Sequence, residues 1–287
     1  MDSRKIAFGY YGGKFSQLGW LLPLLPRAQH YCEPFGGSAA VLLNREPAPL
    51  ETYNDLYGDI VHFFRMLRDH RDELLRRVAM TPYAREEYTL SMGSGSLPED
   101  PLERARRFYV RLRQCVFGQV QDATDGRWGY CLNDSRRGMS SAVSKWWSGM
   151  DGLEAIAERL MRVQFEHAPA MEIIPRYDTP DTLFYCDPPY LPSTHQSACV
   201  YENAMSLEDY AALADALNAC QGKVALSGYD DPIMQDWFSS RNGWFKTVQS
   251  AKSTPLSKGL RTEVLWTNYN PSSRSTLQSS LFDLGIA

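Results

Sequence analysis

Apolar positions in this chain alternate between short unbroken runs and longer stretches with helical spacing. Leu183-Phe184-Tyr185-Cys186 is one unbroken run, which suits a strand in a sheet covered on both faces. Two prolines follow at once. Proline lacks the N–H that a ladder needs and turns its predecessor away from helix, so the strand must stop at Asp187. Tyr31-Cys32-Glu33-Pro34-Phe35-Gly36-Gly37-Ser38-Ala39-Ala40 reads as a short strand and a glycine turn, followed by a helix carrying Val41, Leu42 and Leu43. Glu51 to Asp55 is a second strand ending in an acid. The spacing of Ile60, Phe63, Phe64 and Leu67 predicts one helix from Leu56 to about Val78. A second runs from about Pro101 to Phe117, with Leu102, Ala105, Phe108, Leu112 and Cys115 toward a core and Arg104, Arg107 and Arg111 on another face. A helix over Asp151 to Arg162 and a strand over Val163 to Glu166 come next. Ser206, with Asp209 at the third helical position, starts a helix ending near Ala219. Lys223 to Tyr229 is a buried strand and turn. Trp244 to Val248 and Glu263 to Asn268 are the last strands. Strands alternate with helices, the pattern of an α/β fold.

The stretches between elements are less regular. Gly93-Ser94-Gly95-Ser96 and Pro98 mark a loop. Residues 118–138 are polar and β-tolerant, and Asp125-Gly126 predicts the tip of a hairpin. Lys145-Trp146-Trp147 precedes a helix, with core packing the better expectation for the two tryptophans. Leu191 to Ala204 has no period and lies just after the Asp187 strand, where it would act as a lid. His195 within it reads as a surface residue. From Pro271 the chain is serine-rich, with no core pattern, and is expected to be a tail.

Composition narrows the class. With 287 residues and 44% hydrophobic content, the chain can build a sizeable core in one large or two modest domains. No apolar run approaches the roughly 20 residues of a membrane span, and the start leads into no signal-peptide core, so a cytoplasmic setting is expected. The six cysteines are scattered without a C-x-x-C pair, which argues for buried thiols and against a zinc site. Net charge is −4, but residues 101–147 are strongly basic on an otherwise acidic chain. Such a segment is compatible with phosphate contacts, although most charge runs are solvated faces.

The strand end at Asp187 is where chemistry concentrates. It offers a carboxylate, a carbonyl (Pro188) followed by a residue with no N–H, and the Tyr190 ring, all at the carboxyl edge of a sheet, where open α/β proteins bind ligands. The glycine turn lacks the full G-x-G-x-x-G of dinucleotide binders, so a nicotinamide dehydrogenase is a poor fit. Asp55, about 20 residues after the turn, suits ribose hydroxyls; it could also serve only to cap the next helix.

Asp187-Pro188-Pro189-Tyr190 resembles the catalytic tetrapeptide of amino-group DNA methyltransferases, which methylate exocyclic base nitrogens using S-adenosylmethionine. Tyr10-Tyr11-Gly12-Gly13-Lys14 resembles the opening of the Dam-like (alpha) N6-adenine group, with Tyr10 where that group usually has tryptophan. Glu33-Pro34-Phe35-Gly36-Gly37-Ser38 resembles its E-P-F-x-G-x-G turn but departs at the last glycine, where Ser38 or Ala39 stands. The likeness spans about residues 8 to 269. It implies a Rossmann-like methyltransferase sheet, with a catalytic domain of residues 1–62 and 152–270, a helical and hairpin DNA-recognition insert of residues 63–151, and a flexible tail at 271–287. It implies that Asp187, Pro188 and Tyr190 are catalytic. Tyr10, Lys14, Glu33, Pro34, Phe35, Gly36, Gly37, Ser38, Asp55, Phe165 and Asp187 would lie at the cofactor, with Glu166 a weaker candidate.

Arg111, Arg127, Asn133, Arg136, Arg137 and Lys145 would face double-stranded DNA. The expected state is a monomer or weak dimer without metal, in a bacterial or phage setting, with a restriction endonuclease partner possible. Asp187 favours adenine over N4-cytosine, because serine is commoner at that position in cytosine-N4 enzymes. A catalytically silent DNA-binding homologue is the remaining alternative.

Overall fold

The computed structural model describes residues 4–10, 12–92, 97–116, 128–191, 205–249 and 262–271. In chain order the strands are β1 (His30–Glu33), β2 (Leu50–Asn54), β3 (Ser135–Arg136), β4 (Met139–Ser140), β5 (Gln164–Glu166), β6 (Thr182–Cys186), β7 (Lys223–Tyr229), β8 (Phe245–Val248) and β9 (Glu263–Thr267). The helices are α1 (Leu18–Leu21), α2 (Ala40–Asn44), α3 (Gly58–Asp69), α4 (Arg71–Ala79), α5 (Arg85–Met92), α6 (Pro101–Gln114), α7 (Ser141–Met150), α8 (Leu153–Leu160), α9 (Ala170–Tyr177), α10 (Leu207–Ala219) and α11 (Pro232–Trp237). Two compact units emerge. The first comprises Met1–Ser16, Gly36–Glu46 and Asp55–His167; the second comprises Gln17–Phe35, Pro47–Asn54 and Ala168–Ala287.

The second unit carries the sheet. Among its described residues the strand order is β2-β1-β6-β7-β9-β8. β1 runs parallel to β2 and to β6, and β6 runs parallel to β7. β9 then pairs antiparallel with β7 and with β8. All five residues of β6 are buried, which explains its unbroken apolar run. Cys32 of β1, Phe184 of β6, Val224 of β7 and Val264 of β9 enter one core with Ile173 and Ile174 of α9 and Leu213 and Leu217 of α10. The start of α10 is a full capping box: Ser206 accepts from the Asp209 N–H, and Asp209 accepts from the Ser206 N–H.

The first unit is mainly helical. Phe8 packs against Phe63, Phe64 and Phe108, Phe63 packs against Phe64 and Phe108, and Tyr109 stacks on Phe63 at 5.6 Å. The single helix expected over residues 56–78 is two helices, broken at His70. No glycine or proline is needed for the break. Arg68 stands in the last turn of α3, ahead of its final residue Asp69, and Asp72 and Glu73 stand in the first turn of α4, behind Arg71. Arg68, Asp72 and Glu73 suit the dipoles of the two new termini, and the His70 carbonyl still accepts from the Leu74 N–H. α6 ends at Gln114, and α5, α7, α9 and α11 are elements that the apolar spacing did not announce. The short hairpin β3–β4 turns at Arg137-Gly138; the Asp125-Gly126 tip, Arg127, the 192–204 stretch with His195, and the tail beyond Pro271 lie outside the described residues.

Candidate active site

The glycine turn is built from both ends of the sequence that names it. Within the second unit, Glu33 is buried and accepts a 2.7 Å hydrogen bond from the Tyr31 hydroxyl. The Pro34 carbonyl accepts from Asn54 Nδ2 at 2.8 Å. Asn54 also donates to the Ala168 carbonyl and accepts from the Ala168 N–H, both at 3.0 Å. This buried side chain at the end of β2 ties the loop after β1 to the segment that opens α9. Phe35 packs partly buried against the sheet core.

Within the first unit the turn continues at Gly36. Gly37 has φ +50 and Ala39 has φ +54, both left-handed. The Gly37 N–H donates to Asp55 Oδ2 at 2.7 Å, and the Tyr57 N–H donates to Asp55 Oδ1 at 2.8 Å. Burial pushes the Asp55 carboxyl up from its ordinary value, opposed by these backbone donors. Asp55 thus braces the turn and the chain leading to α3. The Tyr10 ring lies against Gly37, 3.6 Å from where a Cβ would stand. Lys14 is buried, with Nζ donating to the Gly12 carbonyl at 2.9 Å. Ser38 is buried as well. Tyr10, Lys14, Gly36, Gly37, Ser38 and Asp55 therefore belong to one unit. Phe165 is in the same unit, half-buried, with the Arg68 guanidinium 4.9 Å over its ring.

In the second unit β6 delivers the tetrapeptide. Asp187 is half-buried and Pro188 buried. Among the described residues, no donor reaches the Pro188 carbonyl, whereas the Pro189 carbonyl accepts from the Tyr210 hydroxyl at 2.5 Å. The Tyr190 hydroxyl donates to Glu263, at 2.9 Å to Oε2 and 3.2 Å to Oε1. Its ring meets the Tyr229 ring edge-on, at 4.4 Å and 72°. Burial, then the Asp187 and Glu263 charges, push the Tyr190 phenol well above its ordinary range. Burial does the same to the Cys186 thiol, which rules it out as a nucleophile at neutral pH. Tyr185 is buried against Ser227 Oγ at 2.8 Å. Sequence reasoning singled out Asp187, Pro188 and Tyr190 and did not single out Glu263 or Asn54, which hold Tyr190 and the Pro34 carbonyl.

A profile of the D12 class N6 adenine-specific DNA methyltransferases matches residues 10–253. The chain belongs to this family. The methyltransferase is 27% identical to a DNA adenine methylase of Vibrio cholerae over 228 residues, 75% of this chain and 76% of that one. It is 25% identical to the Type II methyltransferase M1.LlaDCHI of Lactococcus lactis subsp. cremoris over 280 residues, 90% and 93% of the two chains. It is 23% identical to the DNA adenine methylase of Escherichia coli K12 over 273 residues, 92% and 94%. The chain is thus an adenine-specific DNA methyltransferase, and the family implies S-adenosylmethionine as methyl donor. No helix among the described residues is long and apolar enough to cross a membrane.

The helical part of the methyltransferase treats its basic residues unequally. Arg104, expected away from the core, and Arg111, expected to face DNA, both clasp Asp59 instead: Arg104 Nη2 to Oδ1 at 2.7 Å, Arg111 Nη2 to Oδ2 at 2.9 Å. Arg111 also donates to the Tyr57 hydroxyl at 3.1 Å. Arg106 is buried between Glu87 and Glu103. Asn133, Arg136, Arg137 and Lys145 are exposed. Trp146 is buried, and Trp147 is half-exposed.

Proposed function

We propose that the chain transfers a methyl group from S-adenosylmethionine to N6 of an adenine turned out of double-stranded DNA. The observation that carries this reading is the end of β6. Asp187 and the Pro188 carbonyl follow one another at the carboxyl end of a buried strand, beside a tyrosine ring held at its hydroxyl and its edge. An exocyclic amine is a weak nucleophile because its lone pair is drawn into the ring. A carboxylate and a carbonyl accepting its two hydrogens favour a nitrogen whose lone pair is free for the methyl group. The Tyr190 ring offers a platform for the extruded base, and base–aromatic stacking is worth ~1–3 kcal/mol, against a flipping cost of roughly a few kcal/mol. The methylated nitrogen is cationic until it loses its proton to water, and the Asp187 charge favours that state.

The first unit fits the methyl donor by its acceptor chemistry. An ionised carboxylate has about four lone-pair positions, and the backbone donors that act on Asp55 are those of Gly37, Leu56 and Tyr57, which leaves one for a ribose hydroxyl. The Tyr10 ring over the left-handed Gly37 supplies a flat wall without a side chain on the turn. When bound, S-adenosylmethionine supplies an electrophilic methyl group on a sulfonium. Residues 63–151 supply the DNA contacts in this reading, through Asn133, Arg136, Arg137 and Lys145.

The test is transfer of labelled methyl groups to unmethylated DNA. Asp187→Ala should lower the rate by roughly a hundredfold or more, as loss of a transition-state contact does, while S-adenosylmethionine still binds in a calorimeter. Mass measurement of digested product should give N6-methyladenine and no N4-methylcytosine. Turnover retained in Asp187→Ala would refute the role.

A further inference from the structure

Glu263 opens β9 and stands directly across the antiparallel ladder from Tyr229. Both reach Tyr190, which is 73 residues earlier in the chain than Glu263. The glutamate takes the phenol hydrogen bond on both carboxylate oxygens, and the Tyr229 ring closes on the flank of the Tyr190 ring at 4.4 Å. A tyrosine side chain has two torsions. A contact at its tip and a contact along its edge fix both. We propose that Glu263 is a positioning residue for methyl transfer, holding the plane of Tyr190 on which the target base lies.

This rests on the reading of Tyr190 as the stacking platform. Glu263 touches neither base nor methyl donor in this scheme and acts through Tyr190. A carboxylate accepts and cannot donate, so the phenol must be the donor, and its hydroxyl is committed away from the base. An ionised acceptor also makes the bond shorter and stronger than an amide would, which suits a ring that must not turn when a purine presses on it.

The experiment uses the purified full chain, S-adenosylmethionine labelled with tritium in its methyl group, and unmethylated bacterial genomic DNA, in single-turnover and steady-state form. Glu263→Ala and Tyr190→Phe should each lower the saturating rate by about tenfold, the scale of modest misplacement of a reacting group, with KM for DNA and affinity for S-adenosylmethionine unchanged. Glu263→Gln keeps a carbonyl acceptor and should regain most of the rate. The double variant Glu263→Ala/Tyr190→Phe should be no slower than either single one, because both remove the same bond.

Additive losses, or a loss confined to KM, overturn the inference. So does a wild-type rate in Glu263→Ala and Tyr190→Phe when Tyr190→Ala is inactive; that pattern leaves the stacking platform standing. A wild-type rate in Tyr190→Ala removes the platform and the inference together. If Glu263→Ala is unfolded at the assay temperature, Tyr190→Phe, which keeps the ring, decides.

Discussion

Ala39 carries a left-handed backbone with its methyl fully buried, next to Ser38 in the stretch where one or other of the two stands in place of the glycine that the resemblance would put there. An L-residue there costs roughly 1–2 kcal/mol, and a buried methyl returns about 0.8 kcal/mol. Ala39→Gly should therefore stabilise the chain by up to about 1 kcal/mol, read as a higher urea midpoint; a lower midpoint would show that the methyl outweighs the strain. The same residue shows what sequence could and could not tell. The missing glycine was visible, but the backbone angle that makes it matter was not. Asp187 and Pro188 were legible because proline chemistry ends a strand locally. Glu263 and Asn54 were not, because their roles depend on partners that only the folded sheet brings near.

Elements with a strong local signal were equally legible. β6 and β7 announced themselves by unbroken apolar runs, and α10 by Ser206 and Asp209. Ser206→Ala should cost about 1 kcal/mol, measured as a drop in unfolding temperature without change in methyl transfer. α7 was missed because Ser141-Ala142-Val143-Ser144 has little helix propensity; Ser140 caps it by accepting from the Val143 N–H at 3.3 Å, a signal present but not read. The hairpin β3–β4 has positive φ at both central residues, Arg137 at 56° and Gly138 at 75°, the mark of a type I′ turn. Asparagine suits the first position better than arginine. Arg137→Asn should keep or tighten the hairpin while removing one cation. If Arg137 meets a phosphate, DNA affinity falls at every sequence and the salt slope shrinks by about one. An unchanged slope would take Arg137 out of the interface.

At the scale of the whole molecule, charge does two jobs. A sequence count treats every arginine of residues 101–147 as available to DNA, yet Arg104, Arg106, Arg107 and Arg111 hold Asp59, Glu87 and Glu103. Burial would raise the Asp59 carboxyl, but hydrogen bonds from Arg104 and Arg111 outweigh it and hold Asp59 below its ordinary value. A depressed folded value means that its contribution is complete above the unfolded carboxylate range and is lost as pH falls through the folded value. Unfolding temperature should therefore drop below about pH 4, and Asp59→Asn should be less stable at neutral pH with a shallower acid limb. An equally steep limb in that variant would assign acid sensitivity elsewhere.

β9 sits between β7 and β8 although it follows both in the chain. During synthesis the ribosome has already released β7 and β8 before residue 263 appears. Until then one rim of β7, with Val224, Ala225 and Leu226, has no ladder to join. A message cut short ahead of Glu263 should thus yield a sticky, silent fragment. The enzyme cannot mark a genome until β9 has been translated.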